Sequence, residues 1–222
     1  MYKKIVVKTD PRSPDFKVIK MAVEILEEGG ILIYPTETCY GLGVDALNED
    51  AVKKVYIAKE RPFSKPISIA VSDIEMAKKY AIFTPEAEIL AKRFLPGPLT
   101  IALPKRKIVP DIVNPNAIAI RIPDHPVALA IIREFGRPIT ATSANKSGEP
   151  PPYSVRKAIT SLKERYDLAI DVGRLRALKP STIVDFTKEP SPLITRKGPI
   201  DPKEILRVLG IPEEEWDKHI MP

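Results

Sequence analysis

Short apolar runs along the chain alternate with amphipathic stretches. The runs are rich in β-branched residues and end at Gly, Pro or polar turns, which is typical of buried strands. We therefore predict strands in eight ranges: 31–35, 67–72, 99–104, 117–123, 138–143, 168–172, 182–186 and 193–196. Between many of these runs, apolar residues recur every three or four positions, as on the buried face of a helix.

The amphipathic stretches carry helix-start residues. Asn48 and Ser154 are good N-caps, and several other stretches open with proline, which suits the first helical turn. The predicted helices are 14–28, 49–58, 85–94, 126–135, 155–165 and 202–209. Alternating strands and helices indicate an α/β or α+β domain.

The turn between the last two predicted strands sets the expected sheet type. Residues 187–192 are too few for a crossover, so these two strands should be antiparallel. We expect a twisted, open, mixed β-sheet flanked by helices. This domain should occupy residues 1–210, and the acid-rich residues 211–222 should form a short C-terminal tail.

Composition narrows the class of protein. The chain has 222 residues, of which 44% are hydrophobic and 29% charged, as in ordinary globular proteins. No apolar run approaches the roughly 18 residues of a membrane span, and the start lacks a signal-peptide core. We therefore expect a cytoplasmic protein with no membrane partner.

The single cysteine and two histidines do not match a zinc-site spacing. The net charge of +6 favours polyanionic partners, either nucleotides or RNA.

Four polar stretches are candidates for chemistry. Neither a phosphate-binding P-loop nor a G-x-G-x-x-G motif is present, so a nucleotide site must be built from other parts. The stretches stand at the ends of predicted strands, where open α/β sheets bind ligands. They are 35–43, 59–66, 140–148, and 180–182 together with 195–198.

Lys59 and Arg61 leave the end of a predicted helix and enter a segment bounded by two prolines. Alternate residues of an extended segment point the same way, so both cations could hold one triphosphate in an exposed mouth. The alternative is a solvated basic turn that complements the negative end of the helix.

Other polar residues leave two interpretations open. Ser143 and Asn145 could bind phosphate or ribose oxygens, or they could form a polar turn that ends a strand. Arg121 lies in an apolar strand and needs an anion, either a substrate carboxylate or an internal Asp or Glu. Cys39 has no nearby histidine in sequence, and His125 suits the start of a helix better than a hydrolase site.

The combined stretches resemble the YrdC-like family, the L-threonylcarbamoyladenylate synthases, over about residues 14–200. The resemblance rests on Pro-Thr-Glu-Thr-Cys-Tyr-Gly-Leu-Gly at 35–43, Lys-x-Arg-Pro at 59–62 and Ser-x-Asn at 143–145. It implies a YrdC-like fold and a nucleotidyltransferase that forms threonylcarbamoyl-AMP and pyrophosphate from L-threonine, bicarbonate and ATP. This reaction begins threonylcarbamoyladenosine formation in tRNA. Long members of the family carry a further C-terminal domain, which a chain of 222 residues cannot hold, so we expect a single-domain member.

The resemblance also implies roles for particular residues. Lys59 and Arg61 would be catalytic, and the ATP-binding residues would be Lys59, Arg61, Ser143, Asn145 and Arg196. Threonine would contact Thr36, Ser68, Arg121, Ala141 and Ser181, with Thr142 a further candidate. Mg²⁺ would arrive with ATP, which would supply most of its ligands because no carboxylate pair holds a metal unaided. The expected downstream partner is a threonylcarbamoyl transferase.

Two rival functions remain open. A non-catalytic double-stranded RNA or tRNA-binding module would use the basic groups at 53–65 and 105–107, although 6% aromatic residues give few stacking platforms. A carbamoyl-adenylate-forming paralogue shares the Lys-x-Arg-Pro element, but it normally has metal-finger and acylphosphatase modules that this chain lacks. Pyrophosphate release that requires threonine and bicarbonate would separate these possibilities from the synthase.

Overall fold

The computed structural model describes residues 2–221. Met1, in the predicted domain 1–210, and Pro222, in the predicted tail 211–222, lie outside the described residues. The strands are β1 (Ile5–Lys8), β2 (Leu32–Pro35), β3 (Tyr40–Gly43), β4 (Ile69–Ala70), β5 (Leu99–Pro104), β6 (Ala117–Arg121), β7 (Ile139–Thr140), β8 (Thr142–Ser143), β9 (Leu168–Asp171), β10 (Thr182–Asp185) and β11 (Leu193–Arg196). The helices are α1 (Phe16–Glu27), α2 (Glu49–Ala58), α3 (Ile74–Lys78), α4 (Pro85–Phe94), α5 (Pro126–Phe135), α6 (Val155–Ser161), α7 (Pro202–Val208) and α8 (Trp216–His219), with a 3₁₀ turn at Glu213–Glu215.

The strands form two mixed sheets, in the orders β1-β9-β2-β3-β8 and β11-β10-β5-β6-β4-β7. The mixed α/β class is confirmed, and β10 and β11 are antiparallel as predicted. The expectation of a single sheet is wrong. The run predicted at 138–143 breaks at Ala141, so that β7 pairs with β4 in one sheet and β8 pairs with β3 in the other.

Helix ends follow their capping residues. The helices α2, α4 and α5 begin and end where predicted, and the Asn48 side chain accepts hydrogen bonds from the backbone of Asp50 and Ala51. Helix α1 starts two residues later than predicted because Asp15 is its N-cap. Helix α6 ends at Ser161, before two residues with positive φ. Strands β1 and β3 and helices α3 and α8 were not predicted.

Residues 211–221 fold back onto the larger sheet. The indole Nε1 of Trp216 donates to the Ile211 carbonyl at 2.9 Å, and the Met221 amide donates to the Ile194 carbonyl at 3.0 Å. The C-terminal end of the acidic segment is therefore attached to β11. None of the helices in residues 2–221 is long and apolar enough to cross a membrane.

Candidate active site

A cavity of about 550 Å³ opens where the two sheets meet. One face of the larger sheet forms its floor, and that face carries small side chains, including Thr100 and Ala102 of β5 and Ala117 and Ala119 of β6. Successive side chains point to opposite faces of a strand, so the intervening residues are large and buried in the core: Leu99, Ile101, Leu103, Ile118 and Ile120. The floor is wide because its side chains are small.

The cavity is lined by an excess of positive charge. Five cationic side chains line it, from the loop after α2, from β6 and from the β10–β11 hairpin: Arg61, Lys65, Arg121, Lys188 and Arg196. Two carboxylates also line it, and one of them, Asp185, lies 3.8 Å from the Lys188 ammonium. Clefts lined mainly by one sign of charge concentrate ligands of the opposite sign. The cavity therefore suits an anion.

Arg121 has an internal partner and a free donor. Its Nη2 pairs with the Glu37 carboxylate, and its Nη1 lies 3.4 Å from Thr38 Oγ1. The internal carboxylate considered from the sequence is therefore present. The Nε of Arg121 is buried and has no hydrogen-bond partner among the described residues. An orphaned buried donor on a cavity wall is a group that a ligand can satisfy.

Arg196 is held against the wall by Ser181. Its Nη2 donates to Ser181 Oγ at 2.9 Å and its Nε donates to the Ser181 carbonyl at 2.8 Å. Ser181 Oγ also lies 2.7 Å from Thr100 Oγ1, which links β10 to β5. Burial first, and then the charge of Arg121, lower the pKa of Arg196. The guanidinium is thus fixed in place with part of its surface towards the cavity.

Lys59 does not lie in an exposed mouth, and that expectation is wrong. It is 1% exposed, and its Nζ donates to the carbonyl oxygens of Ser143 and Asn145. Burial, followed by the charge of Arg61, lowers the pKa of Lys59 to about 7. Glu60 adopts φ 48°, so the chain turns between the two cations instead of extending. Arg61 alone of the pair lines the cavity, and its Nη2 donates to the Pro66 carbonyl at 2.8 Å.

Asn145 and Thr36 also stand behind the cavity wall. Asn145 is 4% exposed, and its Nδ2 donates to the carbonyls of Lys146 and Glu149, while its Oδ1 has no partner among the described residues. Thr36 Oγ1 donates to the Cys39 carbonyl at 2.7 Å and accepts from the Cys39 amide at 3.2 Å. Thr36 therefore shapes the turn that presents the next residues to the cavity.

Most of the predicted site residues do line the cavity: Arg61, Ser68, Arg121, Ala141, Ser143, Ser181 and Arg196, with Thr142. Sequence reasoning did not single out Thr38, Lys65 and Thr100. Thr38 and Lys65 lie inside the polar stretches 35–43 and 59–66. Thr100 could have been found from the alternation of side chains along β5, since it lies on the opposite face from Leu99 and Ile101. Lys188, in the turn after β10, had no comparable indication.

Cys39 and His125 have little catalytic character. The Cys39 thiol lines the cavity, but burial raises its pKa, which disfavours the nucleophilic thiolate. His125 caps α5 as predicted, with Nδ1 accepting from the Val127 amide at 3.2 Å. Burial lowers the pKa of His125 to about 4. Within residues 2–221, no group of three or more His, Cys, Asp or Glu side chains could hold a metal ion.

Comparison with known proteins covers most of the chain. The sequence model of the Sua5/YciO/YrdC family, described as "Telomere recombination", matches residues 24–198. Threonylcarbamoyl-AMP synthase of Pyrococcus abyssi is 40% identical over 209 residues, which are 93% of this chain and 61% of that protein. A Methanocaldococcus jannaschii protein provisionally given the same name is 41% identical over 192 residues, or 86% of this chain and 90% of that protein.

The fold agrees with these sequence matches. The crystal structure of P. abyssi Sua5 complexed with L-threonine superposes with a TM-score of 0.89 at 38% identity, over 98% of this chain and 63% of that one. The chain thus spans about three-fifths of the length of the P. abyssi protein. Because the family model matches residues 24–198, which include every strand except β1 and all the residues that line the cavity, the chain belongs to the Sua5/YciO/YrdC family.

Proposed function

We propose that this chain is a nucleotidyltransferase that converts L-threonine, bicarbonate and ATP into threonylcarbamoyl-AMP and pyrophosphate. The observation that carries the proposal is the cavity at the meeting of the sheets, with five cations around a floor of small side chains. ATP and bicarbonate are anions, and threonine presents a carboxylate. The names of the relatives and the threonine bound to P. abyssi Sua5 point the same way.

Threonine would bind beside Arg121. The Glu37 carboxylate restrains the guanidinium, and the free Nε is a donor suited to the amino acid's carboxylate. Ser68, Ala141 and Ser181 are small neighbours that leave room for the side chain. Holding the carboxylate orients the amine, which is the group that reacts.

ATP would be held by groups from several elements. Arg61, Lys65 and Arg196 line the cavity and match the charge of a triphosphate. Lys59, beneath them, fixes the backbone of Ser143 and Asn145 through their carbonyls. The free Oδ1 of Asn145 is an acceptor, so it suits a ribose hydroxyl better than an ionised phosphate, which has no proton to donate.

The reaction needs no covalent bond to the protein. The threonine amine adds to carbon dioxide derived from bicarbonate, a proton leaves, and one carbamate oxygen attacks the α-phosphorus of ATP. The bond from that phosphorus to the bridging oxygen breaks, and pyrophosphate leaves with the electron pair. Such transfers depend on positioning and on cations that match the moving charge. Arg61 and Arg196 would position the phosphates and would also supply the matching positive charge.

Mg²⁺ would bind with the nucleotide and shield its phosphate charge. Glu149 and Asp185, on the cavity wall, are oxygen donors of the kind this ion prefers. Two separate carboxylates fit an ion that arrives with most of its ligands on ATP. In this proposal the reactive adenylate passes to a threonylcarbamoyl transferase that modifies tRNA in the cytoplasm.

RNA binding as the main activity has weaker support. Two of the three cations at 105–107 already have local partners: Lys105 pairs with Asp111, and Arg106 Nε donates to the Lys78 carbonyl at 2.9 Å. No specific observation in the described residues therefore favours RNA over the nucleotide.

A pyrophosphate-release assay tests the proposal. Release from ATP should require threonine and bicarbonate together and should stop when either is omitted. Arg196→Gln should lower the rate by about 10²-fold, the scale for removing one group that stabilises developing charge. Arg207→Gln is the matched control, because Arg207 stacks over Trp216 away from the cavity. Pyrophosphate release that ignored both additives would refute the synthase function.

A further inference from the structure

Glu60, the variable position of the Lys-x-Arg-Pro element, is surrounded by cations from other segments. Its carboxylate lies 2.5 Å from Lys146 Nζ, 2.6 Å from Lys163 Nζ and 3.5 Å from Arg165 Nη1. Hydrogen bonds from Lys146 and Lys163 lower the pKa of Glu60 to about 2, so the carboxylate stays ionised at neutral pH. One carboxylate thus bridges three basic side chains, and the cluster keeps a net positive charge.

These contacts join the two nucleotide-binding segments proposed above. Lys146 directly follows Asn145, so its ion pair with Glu60 ties the 143–147 segment to the end of α2. The Ser147 amide donates to the Lys59 carbonyl at 2.8 Å, and Lys59 Nζ donates back to the Asn145 carbonyl at 2.7 Å. The two segments are therefore linked by backbone and side-chain contacts at Lys59 and by the ion pair at Glu60.

A third segment closes the arrangement. Arg165 Nη1 donates to the Ile57 carbonyl at 3.0 Å, which attaches the turn after α6 to the last turn of α2. Glu60 itself adopts φ 48°, a conformation that non-glycine residues rarely take. The surrounding contacts hold it there.

We propose that Glu60 is a positioning residue for the nucleotide, holding the 59–61 and 143–147 segments in register through Lys146. This inference rests on the proposed function for the identity of the ligand. Without the carboxylate, Lys146, Lys163 and Arg165 would repel one another, and Asn145 would shift relative to Arg61. The threonine side of the cavity is built on Arg121 and Ser181, which Glu60 does not contact.

The test is calorimetric titration of Mg·ATP and of threonine, separately, into wild type and Glu60→Gln. We expect ATP affinity to weaken about threefold to tenfold, the scale of coupling through a contact network, and threonine affinity to stay within twofold. The KM for ATP should rise by the same factor. Glu164→Gln is the matched control, because Glu164 is an exposed carboxylate with positive φ (58°) whose one ion pair within residues 2–221 is with Lys4.

Two further variants separate positioning from folding. Glu60→Gly removes the carboxylate while favouring the observed backbone, so it should weaken ATP binding even if Glu60→Gln is poorly folded. The double variant with Glu60→Lys and Lys146→Glu exchanges the two charges. It should recover part of the ATP affinity that Glu60→Lys alone loses. Unchanged ATP affinity in Glu60→Gln and Glu60→Gly, or equal losses for ATP and threonine, would overturn the inference. Binding is measured without turnover, so a wild type that bound ATP but released no pyrophosphate would refute only the proposed function.

Discussion

Lys59 couples the stability of the chain to the geometry of the candidate site. Its buried ammonium satisfies two carbonyls, one on each side of Ala144. Lys59→Ala leaves the Asn145 carbonyl without a donor, whereas the Ser143 carbonyl keeps the Asn145 amide at 2.9 Å. A buried unpaired group costs about 1–3 kcal/mol. We expect the Tm to fall by at least about 2 °C. Pyrophosphate release should fall about 10²-fold, because the Ser143–Asn145 backbone that Lys59 fixes would be misplaced. Calorimetry and the release assay measure these effects.

A lysine elsewhere on the same helix provides the control for that experiment. Lys53 is half-exposed and pairs with Asp50 one turn away. Lys53→Ala should change stability by less than about 0.5 kcal/mol and should not affect the rate. An unchanged Tm in Lys59→Ala would show that the burial of Lys59 is not important for stability.

Arg121 can be tested against its own partner. Arg121→Gln should raise the KM for threonine and for serine by the same factor, because both amino acids present the same carboxylate, and should leave ATP affinity nearly intact. Glu37→Gln should keep threonine affinity, because the guanidinium and its free Nε remain. If both variants merely lowered the Tm and neither changed threonine affinity, the pair would be structural only.

At the scale of elements, capping residues made several helices predictable. Asn48, Thr84 and His125 each cap the helix expected after them, because a cap and its helix are neighbours in sequence. The break at Ala141 was not predictable in this way. Thr140 and Thr142 look alike in sequence, yet they pair with strands of different sheets.

The cap of α5 predicts acid sensitivity. The pKa of His125 is about 4 in the folded chain and about 6.5 when it is unfolded. The unfolded state therefore binds the proton first, and stability is lost as the pH falls from about 6.5 to 4. His125→Asn keeps a capping side chain but does not titrate, so its Tm should depend less on pH in this range. Equal slopes for both proteins in calorimetry would contradict this explanation.

The small side chains of the cavity floor predict that a larger side chain there will lower activity without unfolding the chain. Ala119→Leu extends into the cavity rather than into the core, so the fold should tolerate it. We expect pyrophosphate release to fall by about 10²-fold through misplaced substrate, with the Tm within about 2 °C of wild type. The control is Ala177→Leu, at an exposed loop position. Full activity in Ala119→Leu would mean that the substrates lie elsewhere.

At the scale of the whole molecule, the cavity depends on pairings between distant parts of the chain. Gly41 pairs with Ser143, and Leu99 pairs with Thr182, and neither register can be read from local periodicity. The sequence therefore indicated which stretches carry the site, since each is polar and adjoins a predicted strand. It could not indicate that Arg61 would face the cavity while Lys59 would lie behind its wall.

The most direct test of the central claim is the chemical identity of the product. The chain is incubated with ATP, L-threonine and ¹³C-bicarbonate, and the adenylate is analysed at once by mass spectrometry. We predict one product that contains AMP, one threonine and one ¹³C atom, formed in equal amount to pyrophosphate. Pyrophosphate accompanied by AMP alone, or by an adenylate without the labelled carbon, would contradict the account.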